Sequence, residues 1–353
     1  MKKRTLAPSL IAFLLAVAAA PPAFAATASV LFSRATYWPD DTTRTATIYR
    51  VRPATGAVVQ LTPRTDNIYY SGGSWSPNGT TIVYEKLKRA TSDRSQLFTV
   101  DRNGGSVHRI TSGVGQKQFA TWGPGARIAY VRVLGDQSCL STIRGDGTRN
   151  RTLWCTTHEM DPPQWSADGS NLFVHVDFFG SGLEPPWNSR AYRISARTGA
   201  ATLLTAQTLD DARYFRFSPD GRHGIYFDLT GGTNTPMMQV DFATDTMTSL
   251  GQGYLPRYSK DGSHIAFSRE DFGGAPDFPI YSSLYVMNAD GSGVTEVTHE
   301  YVDGVEYQAA DWSDNGTRVL ANRNGFMRII DVATGTQTFL PRGAAHQGSW
   351  YQP

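Results

Sequence analysis

Three things are scarce in this 353-residue sequence: cysteine, net charge and long apolar runs. Beyond the leader described next, no stretch approaches the roughly 20 apolar residues that a membrane-spanning helix needs. The first residues read Met1-Lys2-Lys3-Arg4, then apolar Leu10 to Ala20, then Ala23-Phe24-Ala25. A charged start, a short apolar core and an A-x-A site form an export signal over residues 1–25. No Cys follows that site, so the lipoprotein route lacks its acceptor. The expectation is a soluble exported chain, periplasmic or secreted, starting near Ala26 and not integral to a membrane.

Three of the 33 basic residues lie in the leader and none of the 31 acidic ones do, which leaves the mature chain near neutrality. Phosphate binding needs a basic surface, so nucleic acid is excluded as a partner. Also missing are a G-x-S-x-G elbow, a P-loop and a zinc-protease signature. Residues 288–300 hold Asp290 and Gly293 at calcium-loop positions, but the twelfth place is His299 rather than Glu. A hairpin accounts for that stretch. The only cysteines, Cys139 and Cys155, flank Gly145-Asp146-Gly147. A hairpin about these glycines sets the two opposite each other, and in an oxidising compartment the expectation is a structural disulfide rather than two free thiols.

What the sequence has in abundance is a repeat. Gly73-Ser-Trp-Ser-Pro-Asn-Gly-Thr-Thr-Ile-Val-Tyr-Glu85 combines an aromatic residue, a tight turn and an apolar strand read as alternating. Further copies place Trp122, Trp165, Phe217, Tyr258 and Trp312 before their own Gly-containing turns. Each is followed by a short strand such as residues 127–131, 172–176 or 264–267, then by two more. Four antiparallel strands at a spacing of roughly 40–50 residues make a β-propeller blade. The N-terminus offers three strands (residues 29–33, 47–51 and 58–62) with no aromatic-turn strand before them. Gly348-Ser349-Trp350-Tyr351 supplies that missing strand. The prediction is an all-β, seven-bladed propeller over residues 26–353, a single domain closed by the C-terminal strand joining the N-terminal blade.

The Trp-Ser-Pro-Asp-Gly copies, with Leu-Thr-like ends at Leu61-Thr62, Ile110-Thr111, Leu204-Thr205 and Val297-Thr298, resemble the TolB-like (WD40-like) β-propeller family. TolB itself is similar to a six-bladed propeller with an added N-terminal α/β domain, and both features depart from this chain. The resemblance implies the propeller fold and membership in the broader family; its motif is structural and carries no function.

Asp168, Asp220, Asp261 and Asn315 are assigned to turn geometry, which needs positive φ at the adjoining glycine. Binding belongs on the opposite face, where loop lengths vary. Its loops carry Trp38, Tyr69, Tyr70, Trp187, Tyr301 and Tyr307 among the carboxylates Glu159, Asp161 and Glu300. These aromatics, with Glu159 and Glu300, are the candidate ligand surface for an envelope or extracellular protein, peptide or glycan, bound without catalysis or cofactor by a monomer. The alternative is an enzyme. Propellers with a related repeat, such as oligogalacturonate lyases, hold a metal with His and Gln near the channel, which implies His158, His299, His346 and Gln347 as ligands of a divalent metal here. Glu159 or Glu300 would then act as acid or base on a polysaccharide. His108, His175, His223 and His264 are expected on strands or turns, as packing or surface residues.

Overall fold

The computed structural model describes residues 28–37, 44–88, 94–178, 188–207, 209–210, 212–228, 236–271, 281–344 and 348–351. The leader, Trp38, Trp187, His346 and Gln347 therefore lie outside the described residues. Within them the chain is a succession of antiparallel sheets with no α-helix. Four sheets have four strands in sequence order; the one beginning at Gln116–Gly123 continues through Arg127–Leu134, Gln137–Arg144 and Arg151–Thr156. The sheets starting at Ala212–Phe217, Tyr254–Tyr258 and Tyr307–Trp312 follow the same plan.

Two sheets differ for local reasons. In one, the first strand is split into Glu159–Met160 and Gln164–Trp165, both paired to Asn171–Phe178. Pro162 and Pro163, which have no N–H to give a ladder, occupy the gap. The other has eight strands because two four-stranded units, one beginning at Ile68–Trp75, meet through a parallel bridge between Ala46 and Tyr69. In the other unit Gly348–Tyr351 pairs antiparallel with Ser29–Tyr37, setting Trp350 opposite Val30.

The repeated turn is held by its own side chains. Ser76, Ser166, Ser218, Ser259 and Ser313 each donate from Oγ to the Asn or Asp two residues on, at 2.5–2.9 Å. Each serine Oγ also accepts the backbone N–H that opens the next strand. Gly79, Gly169, Gly221, Gly262 and Gly316 have φ between +63° and +76°, the left-handed region open to glycine at no steric cost. Hydrogen bonding from Ser166 and Ser259 holds Asp168 and Asp261 down at about 2. These aspartates therefore serve the turn.

The strand after each turn departs from the expected alternation. Ile82-Val83-Tyr84, Ile128 to Val131, Leu172-Phe173-Val174 and Ile265-Ala266-Phe267 are buried consecutively. Such a strand lies between neighbouring sheets on both faces, so both sets of side chains must be apolar. Seven buried clusters result, each shared by two consecutive four-stranded units. Trp350 belongs to the one uniting Val30 and Phe32 with Leu320 and Ile329. Cys139 and Cys155 form a disulfide across paired strands with Cα atoms 4.0 Å apart.

Candidate functional site

The residue before each repeat aromatic points away from the core that the aromatic fills, by the two-residue period of a strand. Here those residues include Arg216 and Arg257. A register shift interrupts the same strand nearby, between Arg213 and Arg216, Tyr254 and Arg257, Ser71 and Ser74, Gln118 and Thr121, and Ala309 and Asp311. Such bulges re-aim side chains and gather beside functional sites. Phe119, Tyr214 and Leu255 sit in these bulges at φ of +51° to +59°, strained for side-chain-bearing residues, where the first copy has Gly72.

Four of these bulges converge on a cavity of about 500 Å³ lined by Tyr214, Arg216, Leu255, Arg257, Gln308 and Asn322, among others. No Asp or Glu is among the described residues lining it. Burial pushes the pKa of Arg216 down, with Asp161 and Tyr214 opposing; its Nη1 donates to the Phe215 carbonyl at 2.7 Å. The Arg257 Nε is buried and finds no acceptor among the described residues. Asp311, in the same repeat position, is already committed: it binds Lys260 Nζ at 2.8 Å and accepts the Trp350 N–H at 2.8 Å. The cavity is thus an electropositive pocket with amide and phenol groups, suited to a carboxylate.

A second constellation lies where the split strand meets its partner, at the end remote from the Asp-Gly turns. Glu159 pairs with Asp177, and the Asp161 N–H donates to the His175 carbonyl at 2.9 Å. This register puts Glu159, Asp161, His175 and Asp177 on one face of the sheet. His175 is 1% exposed and stacks on Phe215 with rings 4.6 Å apart and 4° from parallel. Its Nδ1 is 3.0 Å from Asp161 Oδ2 and 3.8 Å from Asp177 Oδ1. Among the described residues no other set of three His, Cys, Asp or Glu side chains is grouped closely enough to hold a metal ion.

The candidates named from sequence are spread over this frame. Tyr70 is buried against Tyr84, and Tyr69 is half-buried on the same strand. Tyr307 is fully buried and donates to Glu300 Oε2 at 2.6 Å. Arg323 also binds Glu300 through Nε at 2.8 Å and holds that carboxyl below its ordinary range. Glu300 and Tyr307 thus form an internal ion-paired network. Tyr301 is 57% exposed and donates to Glu296 at 3.0 Å. His158 packs on Phe178 at 4.2 Å, on the sheet face opposite His175. His299 is exposed beside Tyr301 and Glu296. Glu159 is exposed in the row of Asp177.

Arg216, Arg257 and His175 were not among the sequence candidates. Two signals point to them: Arg216, Arg257 and Ser349, each directly before a repeat aromatic, line the cavity, and the tenth residue after the aromatic is Glu85, His175 or Ser268 in three copies. That tenth position reaches the next sheet, for Ser268 Oγ donates to the Tyr307 carbonyl at 2.6 Å and Glu85 accepts the Phe119 N–H.

No protein-family model matches the chain. Among curated proteins, dipeptidyl-peptidase 5 of Porphyromonas endodontalis is 23% identical over 249 residues, 56% of this chain and 36% of that protein. The chain thus matches about a third of that relative's length. Among solved structures, the β-propeller domain of the trilobed protease from Pyrococcus furiosus aligns with a TM-score of 0.62 at 11% identity, covering 89% of this chain and 94% of the other. TolB from Acinetobacter baumannii gives 0.51 at 15% identity, over 80% and 82%. An oligogalacturonate lyase in complex with manganese gives 0.53 at 16%, over 72% and 76%. Repeat, sheet order and these likenesses agree: the chain has the fold of the TolB-like β-propellers.

Proposed function

We propose that this chain is an exported, monomeric, non-enzymatic β-propeller of seven blades, and that it binds a protein, peptide or glycan partner presenting a carboxylate to Arg216 and Arg257. Support for seven blades comes from the seven inter-sheet clusters, and for closure from the pairing of Gly348–Tyr351 with Ser29–Tyr37. The observation that carries the binding function is the cavity itself, two arginines among amides with no carboxylate among the described residues of its lining. Charge-assisted hydrogen bonds contribute about 1.5–3 kcal/mol each, roughly a factor of 10–100 in affinity. The test is equilibrium binding of peptides with free or amidated C-termini, and of polyuronate against neutral glucan, to the purified chain. Free carboxylates should bind at least about tenfold more tightly, and Arg257→Gln should abolish the preference. Equal binding of charged and neutral ligands refutes the proposal.

A second reading is a metal-dependent enzyme acting on a polysaccharide. It is favoured by the Asp161, His175 and Asp177 grouping and by the likeness in fold to the lyase. Depolymerisation of oligogalacturonate in the presence of manganese would establish it over the first.

A further inference from the structure

We infer that His175, Asp161 and Asp177 form a divalent transition-metal site on the loop-rich face, with Glu159 beside it as a further oxygen donor. The argument begins with a proton. Ser189 Oγ donates its only hydrogen to the Leu209 carbonyl at 2.8 Å. Toward His175 Nε2, 2.7 Å away, that oxygen therefore accepts, and Nε2 carries the ring proton. The lone pair of a neutral His175 is then on Nδ1, which faces two carboxylate oxygens and no donor.

Acceptors crowded together at a buried ring call for a proton on Nδ1 or a cation between them, and the donor set and spacing favour the cation. A histidine whose far nitrogen is tied by a hydrogen bond, with its lone pair aimed among carboxylates, is the arrangement of a metal ligand. The spacing agrees. Metal–ligand bonds of about 2.1 Å place neighbouring donors roughly 3.0–3.4 Å apart, and the donors here lie 3.0 and 3.8 Å from Nδ1, all within 4.8 Å of one another. Asp161 and Asp177 are 32% and 27% exposed, so an ion can enter while the imidazole stays fixed under Phe215.

Charge also favours a divalent ion. Glu159, Asp161 and Asp177 share the face, and Arg216 of the neighbouring sheet acts on Asp161. One imidazole nitrogen with carboxylate oxygens suits Mn²⁺ or Zn²⁺ and leaves positions open for water or a ligand oxygen. The site is distinct from the pocket at Arg257.

The test uses the full chain after dialysis against a chelator, titrated with MnCl₂ and with ZnCl₂. Bound metal is measured by mass spectrometry after desalting and, for Mn²⁺, by loss of the free-ion paramagnetic resonance signal. One ion per chain is expected. Asp161→Asn and Asp177→Asn should each weaken binding at least about tenfold, and Ser189→Ala roughly 10–100-fold by releasing the tautomer. No stoichiometric binding of either ion, or unchanged affinity in the Asp161→Asn/Asp177→Asn double variant, overturns the proposal. If the variants do not fold, ¹⁵N spectra of the wild-type histidines decide. A proton on Nε2 alone and a metal-dependent shift at Nδ1 support the site, and two protonated nitrogens insensitive to metal at about pH 8 refute it.

Discussion

Replacing Glu85 by glutamine is expected to make the protein more stable in alkali and to leave it nearly unchanged in acid. Glu85 lies against the bulge of Ile68–Trp75, where its carboxylate accepts the Phe119 N–H and faces Ser71 Oγ at 3.3 Å. Burial nevertheless dominates, raising the carboxyl from 4.5 to about 7. A group whose native pKa exceeds its unfolded value binds more protons when folded. Its contribution to stability is therefore complete below about 4.5 and is lost as pH rises through about 7. At about 1.4 kcal/mol per pH unit the full difference is roughly 3 kcal/mol, and residual solvent contact reduces it to about 1.5–3 kcal/mol. Glutamine keeps the oxygen that accepts Phe119, can donate to Ser71 and has no charge to bury. Urea unfolding followed by tryptophan fluorescence at about pH 5 and about pH 9 measures the effect. The variant should gain about 1.5–3 kcal/mol over wild type at the higher pH and stay within about 0.5 kcal/mol at the lower. A difference that is the same at both pH values refutes the reasoning.

Trp350 is 3% exposed in the cluster with Val30 and Phe32, so Trp350→Ala should destabilise by about 3–5 kcal/mol in thermal or urea unfolding. A loss below about 1 kcal/mol would show that the strand contributes little. The Cys139–Cys155 bridge spans 16 residues, and the Cys139→Ser/Cys155→Ser pair should lose about 2–3 kcal/mol relative to the oxidised protein. Wild type in reductant should match the double variant, and alkylation without reductant should label neither thiol.

The propeller was legible because its signature is local. An aromatic residue, a serine whose hydroxyl binds the Asp or Asn two residues on, and a glycine at positive φ all lie within a few positions of one another. The pairing of Cys139 with Cys155 was legible for the same reason, through the turn between them. The sites were not local. His175 sits in an apolar strand and reads as packing; its chemistry appears only when the register sets Asp161 opposite it and Ser189 beside it. Glu300 reads as an available carboxylate until the strand holding Arg323 is brought against it. Arg216 and Arg257 share a place before the repeat aromatic, but only the bulges of separate repeats direct them to one cavity.

The pairing of Val30 with Trp350 has a consequence for time as well as for strength. Every other repeat aromatic packs between sheets built from neighbouring stretches of chain, which can associate as they emerge. The sheet that starts at Ser29–Tyr37 must wait for a strand made some three hundred residues later, and the entropy of closing so long a loop is met only at the last step. Until then Val30 and Phe32 lack the indole that covers them, and the edge of their strand is open to any other extended segment. Folding of this chain should therefore show a slow final phase reported by Trp350, during which it is most exposed to proteases and to its own copies.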